Sequence, residues 1–292
     1  MPNQKHLPFL ILVLLALVWG SSFILIKRGL DSFSAGQVGS LRIVFSFLFM
    51  IPWAIKVFKK IPKEKLGAIA LIGLLGNLIP AFLFAKAETG LGSSITGVLN
   101  GLTPLFTFIV GALVFGGKLK GGQFAGLLLG FVGTLGLSFI GSNGDLGQMN
   151  FYALLVVLAS FCYALSANIL KSKLQDLRPI EITAMAMAII GPFALIYLFS
   201  TDFLDRLQAE ELAWQSLGYM AILGIVGTAI ALIFFNKLIQ MTSAVFATSV
   251  TYLIPIVAIA WGLLDGEKIF AWHYVGMLLI LGGIYLVNKF RD

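Results

Sequence analysis

The sequence predicts an all-α membrane protein, in which ten transmembrane helices form two inverted five-helix repeats. Its composition, the spacing of its apolar runs and an internal repeat all support this prediction. Of its 292 residues, 59% are hydrophobic and only 11% are charged, whereas soluble domains carry about 25% charged residues. A soluble protein of this length could not bury so much apolar surface, so we expect lipid to surround most of the chain.

Ten apolar runs alternate with short polar connections, none of which could hold a soluble domain. Each run approaches the ~20 residues that a helix needs to cross a bilayer. We expect each run to be a helix, because lipid offers no hydrogen-bond partners and a helix pairs its own backbone groups. The runs cover roughly 8–27, 35–57, 66–86, 92–115, 121–140, 150–171, 180–200, 213–236, 243–264 and 270–289.

An internal repeat relates the two halves of the chain. The stretch 92–118 resembles 243–268, and each carries a proline near its middle, Pro104 and Pro255, offset by 151 positions. Because five helices are an odd number, the second half must cross the membrane inverted relative to the first. Other matches support this register: Gly73 with Gly224, Phe84 with Phe235, Lys86 with Lys237 and, at an offset of 144, Trp19 with Tyr163.

The basic residues predict the orientation. With the N-terminus inside, fourteen of the twenty Lys and Arg residues fall in cytoplasmic segments and five in outer ones. This follows the positive-inside rule, and it predicts a multi-pass plasma (inner) membrane protein with both termini cytoplasmic. The net charge of +7 thus reflects loop charges, and we expect no nucleic-acid partner. Cys162 is the only cysteine, so no disulfide forms within the chain.

Polar residues on the fourth and ninth spans predict the wall of a cavity. Asn100 and Thr103 lie on one face of the fourth span, where Ser93, Thr96 and Thr107 follow the same helical spacing. Thr251 and Tyr252 lie likewise on the ninth. The alternative role for small polar residues is hydrogen bonding between helices. We favour cavity lining for Asn100 and its neighbours, and helix contacts for Ser93 and Thr107.

Matched residues in other spans extend the predicted substrate-binding site. An indole and a phenol well inside their spans could stack on a planar or apolar substrate, although aromatic residues more often form interfacial belts. Two matched polar positions follow the glycines of spans three and eight. These candidates are Trp19 and Ser22 with Tyr163 and Ser166, and Asn77 with Thr228.

Prolines and buried charges suggest further roles. Pro104 and Pro255 each remove a backbone hydrogen bond, and their matched positions predict kinks that shape the cavity or its gates. Arg42 could bind a substrate carboxylate, but we favour a structural role, capping carbonyls near the outer end. Glu88 could face an outer vestibule, and Glu267 is expected to cap the tenth helix.

Glycines on the fifth span predict a close helix contact. Gly122, Gly126 and Gly130 recur every four residues, so they share one face. The partner of this face is either the tenth span or a second protomer, which would make a homodimer.

The sequence lacks the residues that other chemistries need. The phosphate-loop pattern GxxxxGK[ST] is not met at 111–119, and no His, Cys and carboxylate cluster has metal or triad spacing. We therefore expect no enzyme activity, no cofactor and no metal site. Because no ionisable side chain is well placed for a midplane proton relay, we also expect the substrate to move down its own gradient.

These features together resemble a known family. Trp19-Gly20, Arg42, the two proline-containing spans and Gly266-Glu267 are similar to the EamA-type ten-helix members of the drug/metabolite transporter superfamily. Gly117 departs from the pattern, because the family usually has glutamate there. The resemblance makes 1–145 and 146–292 the two EamA-like repeats.

The resemblance implies export or exchange of small metabolites, often amino acids or drugs. With the cavity residues, it predicts a secondary transporter of amphipathic solutes, amino acids above all, that works by alternating access. Two alternatives remain, a membrane-embedded interaction or sensor protein without flux and an intramembrane enzyme.

Overall fold

The computed structural model describes residues 6–115, 125–126, 128–130, 132–133, 136, 150–268 and 270–289, and all regular structure within these ranges is helical. Eight of its helices are long and apolar enough to cross a membrane. They are α1 (Leu7–Leu30), α2 (Ala35–Lys60), α3 (Lys63–Ala87), α4 (Ser93–Val114), α5 (Tyr152–Lys173), α6 (Pro179–Phe199), α8 (Ala213–Met241) and α9 (Ala244–Leu264).

The described residues include two further helices, besides the helical residues between 125 and 136. The tenth predicted span corresponds to α10 (Ala271–Lys289). A short helix that the sequence did not predict, α7 (Phe203–Ala209), lies in the connection between α6 and α8. The predicted fifth span, 121–140, falls largely outside the described residues. The observed helices therefore match the other nine predicted spans, with ends shifted by a few residues.

The surface of the bundle is apolar. Large side chains such as Phe193, Trp214 and Leu264 are exposed on α6, α8 and α9. Exposed apolar surface on this scale is unfavourable in water but favourable against lipid tails. The packing therefore agrees with a multi-pass membrane protein.

Helices of the two halves cross each other closely at glycines. A Cβ atom at Gly76 of α3 would collide with Ser166 of α5, and one at Gly227 of α8 would press on Ser22 of α1. The two glycines are offset by 151 positions and the two serines by 144. The third helix of each half thus packs on the first helix of the other half, with the same residues in contact.

Both glycine-rich helices contain a wide π-helical turn at equivalent positions. The turns are Leu74–Leu78 in α3 and Ile225–Ile230 in α8. In each, a polar side chain hydrogen-bonds the carbonyl five residues back. Asn77 Nδ2 donates to the Ile72 oxygen at 3.2 Å, and Thr228 Oγ1 donates to the Leu223 oxygen at 3.0 Å. Single π turns inside α-helices frequently mark functional sites.

The α4 and α9 helices are also interrupted at equivalent positions. Tighter 3₁₀ turns cover Asn100–Leu102 and Ser249–Tyr252. Pro104 has no N–H for the Asn100 carbonyl, and the Thr103 hydroxyl donates to that oxygen instead, at 2.8 Å. Both interruptions lie directly before the predicted kink residues, Pro104 and Pro255.

The glycine face of the fifth span contacts α10. A Cβ atom at Gly283 would collide with the backbone of Gly126 and Gly130. Gly122, the third member of the predicted face, lies outside the described residues. The tenth span is therefore one partner of this face, and a homodimer through it stays a prediction.

Candidate functional site

A cavity lies between the helices of the two halves. It offers about 90 Å³ of water-accessible volume, less than the ~300–1,000 Å³ that ligand sites occupy. All of the described residues that line it are buried or partly buried. Eight of the ten predicted binding residues are in the lining, namely Trp19, Ser22, Asn77, Asn100, Thr103, Tyr163, Ser166 and Thr251.

The other two predicted binding residues lie outside the lining. Thr228 stands behind it, where its hydroxyl accepts a hydrogen bond from Arg42 Nε at 2.8 Å. Tyr252 follows Thr251 in the same 3₁₀ turn, and neighbours in such a turn point about 120° apart. With Thr251 facing the cavity, Tyr252 faces elsewhere. Pro104 and Pro255 also lie outside the lining, one helical turn beyond Asn100 and Thr251.

Two equivalent aromatic pairs form much of the wall. Tyr163 stacks on Phe84, with ring centroids 5.8 Å apart, and Trp19 meets Phe235 edge-on at 5.0 Å. The Trp19 indole donates to the Gly227 carbonyl at 2.9 Å, within the π turn of α8. Each pair joins one ring from each half, so the cavity lies between the two halves of the chain.

Several lining residues are not among the predicted binding residues. Phe84 and Phe235 supported the repeat register, and their matched positions were a signal that they could share one environment. Asn236 also lines the cavity, and its Nδ2 donates to Thr183 Oγ1 at 3.0 Å. No pattern marked Asn236, because its equivalent in the first half is Ala85.

Arg42 is a member of the lining, although the sequence favoured a capping role near the membrane surface. Its equivalent in the second half, offset by 144 positions, is Ala186, which also lines the cavity. Hydrogen bonding to Thr228 holds the side chain against α8 and inside the bundle. Among the described lining residues, none is acidic and Arg42 is the only one that is always charged. The cavity therefore has a positive end.

One end of the bundle carries a network of charged residues, which we call the Glu267 cluster: Lys27, Arg28, Ser93, Ser94, Asp265 and Glu267. Lys27 Nζ lies 2.6 Å from Asp265 Oδ2 and 2.9 Å from Glu267 Oε1. Arg28 also pairs with Asp265. The cluster joins α1, α4 and the end of α9, at the predicted outer face.

Glu267 caps α4, a contact that the sequence did not predict. Its carboxylate accepts hydrogen bonds from the backbone N–H groups of Ser93 and Ser94, at 3.0 and 3.1 Å, and from both hydroxyls, at 2.8 and 2.7 Å. Helix N-termini attract carboxylates because their first N–H groups lack partners. The contact is possible because α4 begins beside the end of α9, so its free N–H groups are within reach.

The turn after α9 positions this carboxylate. Gly266 has φ of 78°, a left-handed conformation that glycine adopts readily. The N–H of Glu267 bonds the Gly262 carbonyl at 2.8 Å and that of Gly266 bonds Leu263 at 3.2 Å, which is a Schellman motif. A Cβ atom at Gly262 would collide with Ser94, so only glycine permits this approach of α9 to α4.

The Glu267 carboxylate is strongly acidic. Burial alone would raise its pKa, but hydrogen bonds from Lys27, Ser94 and Ser93 outweigh burial and lower the pKa from 4.5 to about 2. The sign follows from stabilisation of the charged form by its donors. Glu267 is therefore ionised at physiological pH.

Glu88 follows α3 near the same cluster and differs sharply from Glu267. Both of its carboxylate oxygens are buried, and neither has a hydrogen-bond partner in the described part of the chain. Burial raises the pKa of Glu88 well above 4.5, and the nearby Glu267 carboxylate adds to this, whereas Lys27 and Arg42 lower it. The sequence suggested an open vestibule for Glu88, but the structure places its carboxyl group inside the protein.

The described residues contain no group of three or more His, Cys, Asp or Glu side chains that could hold a metal ion. The lining instead offers aromatic rings, amides, hydroxyls and a guanidinium. Such groups bind amphipathic solutes by stacking and hydrogen bonding.

Known proteins resemble this chain along nearly its whole length. The Escherichia coli K12 protein named "Probable amino-acid metabolite efflux pump" is 27% identical over 94% of this chain and 92% of its own length. The "Uncharacterized inner membrane transporter YedA" of the same strain is 26% identical over 94% and 88%. The "S-adenosylmethionine/S-adenosylhomocysteine transporter" of Chlamydia muridarum is 25% identical over 87% and 82%.

A solved structure and a family model also match this chain. One solved crystal structure aligns with 97% of this chain and 96% of its own, with a TM-score of 0.63 at 16% identity, which shows a shared fold. The model of the EamA-like transporter family matches twice, at residues 7–139 and 150–289. The chain therefore belongs to the EamA-like transporter family, and it is a membrane transporter, not an enzyme.

Proposed function

We propose that this protein is a secondary transporter that exports or exchanges small amphipathic metabolites, amino acids above all, by alternating access. It would lie in the inner membrane with both termini in the cytoplasm, as the distribution of basic residues predicts. The name of one relative, an amino-acid metabolite efflux pump, supports this substrate class.

The observation that carries the proposal is the shared lining of the cavity. Equivalent residues of the two repeats line it together: Trp19 and Tyr163, Ser22 and Ser166, Phe84 and Phe235. Inverted repeats that share one site can open it alternately to either side by rocking against each other. The glycine crossings and the two π turns are interruptions at which such helices could move.

The chemistry of the lining favours a substrate with one anionic and one apolar part. Arg42 offers a guanidinium that can bind a carboxylate through two parallel hydrogen bonds. The two aromatic pairs offer faces and edges for an apolar side chain. Asn100 lines the same cavity, and its amide can donate and accept hydrogen bonds.

Flux measurements test the proposal directly. Purified protein in proteoliposomes should exchange labelled amino acids, with Phe and Leu as first candidates, against the unlabelled compound. Absence of flux and of ligand-induced stabilisation for amino acids, nucleosides and drugs would favour the alternative, an interaction or sensor protein. Such a protein would need no route through the membrane.

The role of Arg42 has a sharper test with matched ligands. Arg42→Gln should weaken binding of an amino acid about tenfold or more, since a charge-assisted pair contributes ~1.5–3 kcal/mol. Binding of the corresponding amine, which lacks the carboxylate, should change little. Equal losses for both ligands would assign Arg42 to the architecture and not to substrate recognition.

A further inference from the structure

Glu88 lies at a position whose equivalent in the second repeat is a buried apolar residue. Its equivalent in the second repeat, offset by 151 positions, is Ile239, which is 0% exposed and lines the cavity. The Glu88 N–H bonds the Phe84 carbonyl at 3.0 Å, so the residue continues the last turn of α3. The first repeat therefore carries a carboxyl group where its counterpart carries a buried isoleucine.

The charged groups around Glu88 do not compensate its burial. Glu267, at the end of α9, repels a charge on it. Lys27 of α1 binds Asp265 and Glu267, and Arg42 of α2 donates to Thr228. The structure gives no hydrogen bond from Lys27 or Arg42 to Glu88, whose two oxygens have no partner among the described residues. Burying an ionised carboxylate without such partners is far more costly than burying the neutral acid.

We propose that Glu88 is a proton-binding site, protonated while the Glu267 end of the bundle is closed and deprotonated when that end opens to water. Closing takes up one proton from the solution at that end, opening returns it, and no other bond changes. This inference rests on the alternating access proposed above. Because the proton is taken up and returned at the same end, it does not drive transport, and the expectation that the substrate moves down its own gradient is unchanged.

The carboxyl groups of Glu267 and Glu88 have different roles in this proposal. Glu267 stays ionised at physiological pH and holds α4, α9 and α1 together. Glu88 must be neutral for that contact to close, because the Glu267 carboxylate would repel a charge on it. Acid on the predicted outer side should therefore favour the closed state, and alkali should favour the open one.

Distance measurements across the Glu267 cluster test the coupling. Spin labels at Thr89→Cys and Lys268→Cys, both exposed positions, are placed in a Cys162→Ala background. Between pH 5 and 9, the closed distance should dominate in acid and decline in alkali in the otherwise native protein. Glu88→Gln, which imitates the protonated form, and Glu88→Ile, which restores the residue of the other repeat, should both remain closed throughout.

Two outcomes of this experiment contradict the proposal. In the first, the distribution of distances between the labels does not change with pH in the native background. In the second, Glu88→Gln and Glu88→Ile keep the same pH profile as the native background. Two substitutions guard against a folding defect in either one, because isoleucine fits the equivalent position of the second repeat. Glu64→Gln, an exposed residue at the start of α3, is the control and should keep the native profile.

A spectroscopic measurement separates this inference from the transport function. The infrared carbonyl band of a protonated carboxyl group should be present at neutral pH, absent in Glu88→Gln and retained in Glu64→Gln. The band requires no substrate and no flux, so it can succeed where a transport assay fails. A native spectrum without a band that depends on Glu88 would show that the group is ionised, and the proposal would be wrong.

Discussion

Lys27 and Lys171 occupy equivalent positions in the two repeats but bind different partners. Lys27 Nζ lies 2.9 Å from the Glu267 carboxylate, whereas Lys171 Nζ donates to the backbone carbonyls of Ile239 and Thr242, at 3.0 and 2.7 Å. In the sequence, the residue equivalent to Glu267 is Gly117, offset by 150 positions. The predicted outer end thus has an ionic contact whose acidic residue has no counterpart in the first repeat.

The first prediction concerns this contact. Glu267→Gln should destabilise the protein by about 1–3 kcal/mol, because Lys27 loses a charged partner and the N-terminus of α4 loses its anion. Thermal unfolding in detergent would measure the loss. Asp176→Asn, which breaks the exposed pair with Lys65, is a control and should change little. Equal effects of both substitutions would argue against a special role for Glu267.

The second prediction concerns the close approach of α4 and α9. Gly262→Ala should cost about 1–3 kcal/mol, since its methyl group would overlap Ser94. Gly218→Ala, on an open face of α8, should be neutral or stabilising, by up to ~1 kcal/mol. The difference in melting temperature between the two variants isolates the contact from the general preference of helices for alanine. A neutral Gly262→Ala would mean that the two helices can separate without loss.

The third prediction concerns the aromatic lining. Phe235→Ala should reduce flux at least tenfold, because Phe235 faces the cavity and supports Trp19. Phe234→Ala removes an identical ring from the neighbouring exposed position and should leave flux unchanged. Equal loss in both variants would point to general destabilisation of α8.

Polar and aromatic members of the lining can be examined in the same assay. Asn100→Ala and Tyr163→Ala should impair flux, with expression and thermal stability close to those of the native protein. Loss of folded protein in both variants would identify them as packing residues. Tyr163 is the more demanding case, because it also stacks on Phe84.

Much of the site was predictable because the repeat is visible in the sequence. Matched pairs such as Trp19 and Tyr163 identified positions that share an environment, whatever their role. Such pairing fails where the two repeats differ in chemistry. Arg42 corresponds to Ala186 and Glu88 to Ile239, and at these positions the repeat gave no guide to the surroundings of the side chain.

Contacts between distant segments of the chain also could not be predicted from the sequence. The capping of α4 by Glu267 spans 174 positions, and no local pattern links a carboxylate at the end of one span to the start of another. The π turns were also invisible, because a single extra residue per turn leaves hydrophobic periodicity nearly intact. Their polar residues, Asn77 and Thr228, were found only through the repeat.

The fourth prediction tests the orientation. In a Cys162→Ala background, single cysteines at Thr201 and Gly266 should react with an impermeant thiol reagent in intact cells, and cysteines at Lys60 and Lys173 should not. Permeabilised cells provide the control, in which all four should react. Labelling of Lys173→Cys from outside would show that the second repeat has the orientation opposite to this prediction.

The last prediction is the pH dependence of stability. The pKa of Glu88 is raised by burial in the folded protein, so between its unfolded and folded values the folded state binds more protons. The contribution of Glu88 to the free energy of unfolding should therefore be fully present below the unfolded pKa of about 4.5. It should be lost as pH rises through the folded pKa. The slope contributed by one group is at most ~1.4 kcal/mol per pH unit.

Melting temperatures of the native protein and of Glu88→Gln, measured from pH 5 to 8, give the comparison. Glu267, with a pKa of about 2, does not titrate in this range and contributes no slope. The two curves should converge in acid and separate in alkali, with the glutamine variant the more stable there. Parallel curves would mean that Glu88 ionises inside the folded protein without cost. Its oxygens argue against this, because they are buried and have no hydrogen-bond partner among the described residues.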